Sequence, residues 1–267
     1  MHDPLLYVLT PSAEPHGLAY GTFEAAASIV ELSSWLAPGS IVALRPHPAT
    51  SWSDLANRIE MVQRRLFNAP LALWPDCVGH ERAVEFAGKA RQFGVRCVVW
   101  HSAPDRERIR RQLADPADWS RMVVVWVRHR YAEVPPAVER LLEDLAEDAF
   151  ARARVGRFAA RDGLQMRRWN RSLRTSGLAP VGTWYSALRV TRIGIEIQRY
   201  PESSIESIAL RVGYSALSAL SRRFDEQLGA PPTFIRQRLG WQWMFASALR
   251  RSGVDLTARG QKRPRKE

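Results

Sequence analysis

The sequence predicts an α/β N-terminal domain with a mainly parallel sheet, followed by an all-α domain that contains two helix-turn-helix units. The first half of the chain alternates five short apolar runs with amphipathic stretches, which is typical of a sheet covered by helices. The second half lacks a convincing strand and shows helical periodicity punctuated by glycine and proline. An internal repeat in that half predicts the two helix-turn-helix units.

Five segments of the first half are predicted as strands. They are LLYVL (5–9), SIVAL (40–44), LALW (71–74), VRCVVW (95–100) and MVVVWV (122–127). The segments predicted as helices lie between them, at about 22–36, 52–66, 80–93 and 104–114. This order predicts a parallel sheet with helices on both faces.

Pro135 and Pro136 in "AEVPPAV" mark the predicted domain boundary, because proline interrupts a regular element and can begin a helix. Residues 1–134 are predicted as a regulatory or dimerisation domain, 135–249 as the all-α domain and 250–267 as a basic disordered tail. The helices predicted after the boundary lie at about 137–150, 153–161, 166–175, 181–198, 204–211, 216–227 and 232–248.

Composition excludes several classes of protein. Cys77 and Cys97 are the two cysteines, which build neither a disulfide framework nor a four-cysteine zinc site. No apolar run reaches the roughly 20 residues of a membrane span, and the N-terminus lacks the pattern of a signal peptide. We therefore expect a cytoplasmic protein with no membrane partner, and we expect no cofactor.

Positive charge is concentrated in the second half. Residues 1–135 contain 15 basic and 14 acidic residues, whereas residues 136–267 contain 24 basic and 13 acidic residues, a net charge of +11. A compact region with this charge attracts polyanions, of which nucleic acid is the commonest and acidic lipid is an alternative.

The internal repeat has a period of about fifty residues. Phe158-Ala159 followed by Gly163-Leu164 recurs as Ile208-Ala209 followed by Gly213-Tyr214. Each copy closes with Gly-x-x-Pro, at 177–180 and at 229–232. Glycine permits a tight turn and the small alanine permits close helix crossing, which is the geometry of a helix-turn-helix.

The second helix of each copy is amphipathic when residues are projected at about 100° per step. Over 216–228 the predicted apolar stripe comprises Leu217, Leu220, Phe224 and Leu228. The opposite face presents Ser215, Ser218, Ala219 and Arg222. In the first copy the predicted stripe comprises Met166, Trp169 and Leu173, and the opposite face presents Arg167, Arg171 and Arg174. Two matched basic or donor-bearing faces predict binding to double-stranded DNA.

The stretch "SIESIALRVGYSALSALSRRFDEQLGAPPTFIRQR" (204–238) resembles the second helix-turn-helix of the AraC/XylS family of bacterial transcription regulators. The matching residues are Ile208, Ala209, Gly213, Tyr214, Ser218, Arg222, Phe224, Gly229, Pro232 and Arg236. The stretch 154–182 resembles the first unit more loosely, through Gly163, Arg171, Gly177 and Pro180. The resemblance covers about residues 136–240.

This resemblance implies a sequence-specific regulator whose two recognition helices read a bipartite DNA site. The family's base-contacting positions fall on Arg167, Asn170 and Arg171 in the first unit and on Ser218 and Arg222 in the second. Arg174 extends the basic face of the first unit. The resemblance also implies that the protein is associated with the nucleoid and contacts RNA polymerase. A homodimer through the N-terminal domain is a further expectation. Activation and repression both remain open.

The predicted first domain departs from the β-barrel sensor that many members of this family carry. Its layout is closer to a receiver or a flavodoxin-like domain, in which Asp76 is a candidate phosphoacceptor and Ser102 a candidate hydroxyl. However, Thr10-Pro11-Ser12 supplies no acidic pair for magnesium, and Arg128 stands near the position of the expected lysine.

Two further functions remain open from the sequence. The first is an α/β enzyme or ligand-binding protein with an appended helical module, in which Cys77 would be a nucleophile and His80 or His101 a base. The second is a nonspecific nucleic-acid binder driven by charge. We expect no catalytic role for Cys77, because it does not lie in a recognisable strand-to-helix elbow.

Overall fold

The computed structural model describes residues 5–9, 24–26, 36–75, 78–97, 118–131, 134–149 and 163–256. The chain divides into two compact units. The first comprises Met1–Pro116, Ile195–Pro201 and Thr233–Trp243, and the second comprises Ala117–Gly194, Glu202–Pro232 and Met244–Glu267. The domain limits proposed from the sequence, at 134 and 249, stay predictions.

The described part of the chain contains five strands and ten α-helices. They are β1 (Leu5–Leu9), β2 (Glu24–Ala26), β3 (Ile41–Arg45), α1 (Trp52–Arg65), β4 (Leu71–Leu73), α2 (His80–Ala90), β5 (Arg96–Cys97), α3 (Trp119–Arg130), α4 (Pro136–Asp148), α5 (Gly163–Thr175), α6 (Val181–Arg199), α7 (Ile205–Arg211), α8 (Leu217–Leu228), α9 (Pro232–Gln237) and α10 (Trp241–Arg251). A short 3₁₀ turn, Arg91–Phe93, follows α2.

The sheet has the strand order β2-β1-β3-β4-β5 and is mixed. β1 runs antiparallel to both β2 and β3, and only the short pairings of β3 with β4 and of β4 with β5 are parallel. Helix is much more abundant than strand in the described part of the chain. The prediction of a mainly parallel α/β domain, receiver-like or flavodoxin-like, is therefore wrong.

Two segments take the opposite secondary structure from the one predicted. MVVVWV (122–127), the fifth predicted strand, lies inside α3, where Trp119, Val123, Trp126 and Val127 are buried at helical spacing. Packing of this stripe overrides the strand preference of consecutive valines. Within the predicted helix 22–36, Glu24–Ala26 forms β2, because it pairs with β1 in the register Leu6 to Ala26.

The core of the first unit is built by α1, α2 and the sheet. Ser51 caps α1, since its Oγ accepts a hydrogen bond from the backbone N–H of Asp54 at 3.1 Å. Leu55, Ile59 and Val62 of α1 are buried against Val42 and Leu44 of β3, Leu71 and Leu73 of β4, and Phe86 of α2. The helices predicted at 52–66 and 80–93 are thus confirmed.

The helix predicted at 232–248 is broken into α9 and α10. Gly240 separates them with φ +95°, and a Cβ on this residue would lie 2.8 Å from Pro70 Cδ. Two side chains stabilise the turn by donating to one carbonyl oxygen, that of Arg238. Gln198 Nε2 donates to it at 2.6 Å, and Trp243 Nε1 donates to it at 3.2 Å. A left-handed glycine in close contact cannot continue a helix.

The second unit contains a large aromatic core. Trp126 and Phe245 pack edge to face with ring centroids 4.9 Å apart, and Trp184 lies 5.9 Å from Phe245. Trp119 Nε1 donates to the carbonyl oxygen of Ala146 at 3.1 Å and so joins α3 to α4. The helices predicted near 137–150, 166–175, 181–198, 204–211 and 216–227 are confirmed by α4 to α8. The predicted helix at 153–161 lies outside the described residues.

Candidate nucleic-acid interface

Helices α7 and α8 form a helix-turn-helix. Ile208 and Ala209 of α7 are fully buried. Gly213 has φ +92°, and its N–H donates to the carbonyl oxygen of Leu210 at 3.1 Å. The next N–H, of Tyr214, donates to the carbonyl oxygen of Ala209 at 2.9 Å. This pair of hydrogen bonds is a Schellman motif, which ends α7 and turns the chain towards α8. The predicted turn at Gly213 and Tyr214 is confirmed.

Helix α8 buries one face and exposes the other. Leu220 and Phe224 are fully buried and Leu228 is nearly so, as the predicted stripe requires. Ser218 and Arg222 are exposed, also as predicted. Leu217 departs from the predicted stripe, because 38% of its surface remains exposed. A side chain at the first position of a helix leans towards the helix N-terminus, beyond the packed turns.

The two adjacent arginines of α8 have different surroundings. Arg223 Nη2 donates to Ser186 Oγ of α6 at 3.3 Å, and its Nη1 lies 3.8 Å from Glu226 Oε2. Arg222 is exposed and forms no hydrogen bond or ion pair with any residue that the structure describes. The guanidinium of Arg222 is therefore available to an external ligand, whereas that of Arg223 is used within the protein.

Helix α5 exposes four arginines. Leu173 is fully buried, and Met166 and Trp169 of the predicted stripe are half-buried. The exposed side chains are Arg167, Arg168, Arg171 and Arg174. None of these four arginines forms an ion pair with a described residue. The projection of the sequence placed three of them, Arg167, Arg171 and Arg174, on one face, and Arg168 is exposed about 100° further round the helix.

Asn170 has a partner inside the protein. Its Oδ1 accepts a hydrogen bond from the backbone N–H of Val181, the first residue of α6, at 2.9 Å. The side chain is half-buried. The amide therefore satisfies an N–H at the start of α6, one of the donors that have no partner within their own helix. The Oδ1 atom of Asn170 is therefore used within the protein, and contact of Asn170 with a base stays a prediction.

A glycine with positive φ follows both α5 and α8. Gly177 has φ +71°, and the N–H of Leu178 donates to the carbonyl oxygen of Leu173 at 2.8 Å. Gly229 has φ +70°, and its N–H donates to the carbonyl oxygen of Asp225 at 3.1 Å. Pro180 then precedes α6, and Pro232 begins α9. The glycine and proline that close each copy thus lie at the ends of helices, as predicted. In the opening half of the first copy Gly163, predicted as a turn residue, is instead the first residue of α5, and Phe158 and Ala159 lie outside the described residues.

The residues considered for chemistry in the first half do not form a described site. Asp76, Cys77, His101, Ser102 and the segment 10–12 lie outside the described residues. His80 is the exposed first residue of α2.

Arg128 does not take the place of a receiver lysine. It lies on α3 and forms a bidentate ion pair with Glu139 of α4. Nε donates to Oε1 at 2.5 Å, and Nη2 donates to Oε2 at 2.7 Å. The Arg128 guanidinium lowers the pKa of the Glu139 carboxyl, and that carboxylate in turn raises the pKa of Arg128. The pair links two helices where the receiver layout required a strand, and phosphorylation at Asp76 stays a prediction.

No protein-family model, curated protein or solved structure matches this chain. The resemblance to the AraC/XylS family therefore stays a prediction that depends on the residues quoted above. Among the described helices, none is both long and apolar enough to cross a membrane.

Proposed function

We propose that this chain is a sequence-specific, DNA-binding transcription regulator of the AraC/XylS type. In this proposal α5 and α8 are the recognition helices of a bipartite site in double-stranded DNA. The observation that supports it is the exposed face of α8, the second helix of the helix-turn-helix. Ser218 and Arg222 are exposed there, and the turn before the helix is fixed by the hydrogen bonds of Gly213 and Tyr214. Arg222 has no partner among the described residues, so its donors are available to a base.

The exposed side chains of α8 and α5 suit different contacts with DNA. An arginine can donate two hydrogen bonds to O6 and N7 of guanine in the major groove, and a serine hydroxyl can contact a base or a phosphate. On α5 the exposed arginines, Arg167, Arg168, Arg171 and Arg174, supply charge for phosphate contacts as well as base contacts. We assign sequence discrimination chiefly to Arg222, Arg167 and Arg171, and we assign positioning on the backbone to the remaining cations.

The length of α6 supports reading by both helices from one face of the duplex. Its 19 residues span about 27 Å at about 1.5 Å per residue. Successive major-groove segments on one face lie about 34 Å apart. A connector of this length is compatible with half-sites separated by one helical turn. The proposal extends to contact with RNA polymerase at a promoter, to dimerisation through the N-terminal region and to association with the nucleoid.

Selection of binding sites from a random duplex library by the full-length chain tests this proposal. We expect an enriched motif with two half-sites about one turn, or about 10 base pairs, apart. Arg222→Ala should lose the information in one half-site and keep the other, while Arg167→Ala combined with Arg171→Ala should do the reverse. A flat profile with strong salt-dependent binding would contradict the proposal and favour the charge-driven, nonspecific alternative.

A further inference from the structure

Leu217 is an apolar side chain placed among polar and small residues at the leading end of α8. It is the first residue of the helix, and 38% of its surface is exposed. Ser215 and Ala216 before it and Ser218 after it are also exposed. The residues 215–218 therefore form a continuous exposed segment, which we call the leading segment of α8.

The position of the leading segment agrees with that of base-reading residues in helix-turn-helix proteins. In such proteins the N-terminal residues of the second helix contact base edges in the major groove. Because the side chain of a helical residue leans towards the N-terminus, that of Leu217 extends in the direction in which α8 would enter the groove. The side chain has no hydrogen-bonding group, so it cannot read the donors or acceptors of a base edge.

We propose that Leu217 contacts the C5-methyl group of a thymine in the half-site that α8 reads. This inference rests on the proposed function. The thymine methyl is the apolar group that a base pair presents in the major groove, and apolar side chains recognise it. Arg222 and Leu217 then divide the recognition, since Arg222 selects a guanine by hydrogen bonds and Leu217 selects a thymine by contact with its methyl group.

Replacement of thymine by deoxyuridine tests this contact directly, because deoxyuridine pairs with adenine in the same way and lacks the methyl group. The duplex carries the motif selected by the full-length chain, and each thymine of the α8 half-site is replaced in turn. Affinity is measured by fluorescence anisotropy for the native protein and for Leu217→Ala, Leu217→Met and Leu210→Ala. Leu210 of α7 is the matched control, because it is an exposed leucine, at 53%, that lies outside the recognition helix.

We expect the native protein to lose about fourfold in affinity at one thymine position, because burial of one apolar carbon contributes about that factor and the deoxyuridine duplex lacks this carbon. Leu217→Ala should bind the thymine duplex more weakly by a similar factor and should be indifferent to deoxyuridine at that position. Leu217→Met should retain most of the dependence on the methyl group, and Leu210→Ala should behave like the native protein. Circular dichroism and thermal melting establish that each variant is folded.

The outcomes separate this inference from the proposed function. A selected motif together with equal sensitivity to deoxyuridine in native protein and in Leu217→Ala overturns the role of Leu217 and leaves the proposed function intact. The same holds if no position of the α8 half-site responds to loss of the methyl group. Selection that returns no motif overturns both.

Discussion

Arg251 Nε donates a hydrogen bond to the carbonyl oxygen of Glu226 at 3.0 Å. The same guanidinium, through Nη2, donates to the carbonyl oxygen of Asp225 at 3.2 Å. Both acceptors lie in the last turn of α8, and the carbonyl oxygen of Asp225 also accepts a hydrogen bond from the N–H of Gly229 at 3.1 Å. A cation at this end also interacts favourably with the helix dipole. Arg251, at the end of α10, therefore holds the end of α8 opposite to the leading segment.

Arg251→Ala should lower the free energy of unfolding by about 1 kcal/mol, because two hydrogen bonds and a favourable charge at a helix terminus are lost. Arg251→Lys keeps the charge and should recover part of that loss. Urea unfolding followed by circular dichroism measures both. Arg168→Ala is the control, since that exposed arginine lies in the middle of α5 and has no partner among the described residues. Equal losses for Arg251→Ala and Arg168→Ala would show that the contact contributes no stability.

Arg222→Ala should affect DNA binding, whereas the neighbouring Arg223→Ala should affect stability. Arg222→Ala should weaken binding to the selected site by about 1 to 3 kcal/mol, leave binding to random DNA little changed and leave the protein stable. Arg223→Ala should reduce stability through loss of the contact with Ser186 and retain discrimination between the two DNAs. Affinities for both duplexes at one salt concentration provide the comparison. A loss for Arg222→Ala that is equal on selected and random DNA would exclude reading of a base by this residue.

Asn170→Ala should lower the free energy of unfolding by about 1 kcal/mol or more, because the half-buried N–H of Val181 loses its acceptor. Asn170→Asp retains an acceptor and adds negative charge near the start of α6, so it should preserve stability. The same charge, close to the arginines of α5, should weaken binding to DNA. Urea unfolding and DNA titration of both variants separate the two roles. Full stability of Asn170→Ala would mean that the hydrogen bond to Val181 is dispensable.

Local signals in the sequence were sufficient for several elements. For α1, Ser51 at the cap and apolar residues four and three apart from Leu55 to Val62 agree with the helix that forms. For the turn before α8, Gly213 sets the backbone and Ala209 allows close packing. In both cases the decisive interactions join residues close in sequence, so they can be inferred from spacing alone.

Longer-range interactions account for the failures. The valine run of α3 has a strand preference, but burial of Trp119 and Trp126 in a packed helical face decides its structure. Helical periodicity predicted that Leu217 is buried. A helical projection gives the direction of a side chain around the axis, but it does not show where along the helix the packed turns begin. The hydrogen bond from Val181 to Asn170 spans eleven residues and leaves no pattern in the sequence from which it could be predicted.

Gly240→Ala should be much more destabilising than Gly253→Ala, although both glycines have positive φ, +95° and +79°. Alanine in this region costs about 1 to 2 kcal/mol at either position. At Gly240 the added Cβ would also lie 2.8 Å from Pro70 Cδ, which forces a local shift and adds about 1 to 3 kcal/mol. At Gly253 no described atom lies within 4 Å of the added Cβ. Similar shifts of the urea midpoint in the two variants would contradict close packing at Gly240.

Tyr131 should make stability fall at high pH. Burial raises the pKa of its hydroxyl from 10.0 to about 12. Below pH 10 the hydroxyl is protonated in both folded and unfolded chains, so it has no effect on the pH dependence. Between about pH 10 and pH 12 the unfolded chain releases this proton and the folded chain retains it. The free energy of unfolding should therefore decrease across that interval, by about 1 to 3 kcal/mol in total from this one group.

Tyr131→Phe isolates the contribution of this hydroxyl from those of the other groups that titrate at high pH. Its Oη is buried and has no hydrogen-bond partner among the described residues, so the variant should be as stable as the native protein at pH 8, or more stable. The difference in free energy of unfolding between variant and native protein should then grow from pH 10 to pH 12, as measured by urea unfolding at each pH. A constant difference would mean that Tyr131 ionises at the same pH in the folded and unfolded chains, and that burial of its hydroxyl does not oppose the charged form.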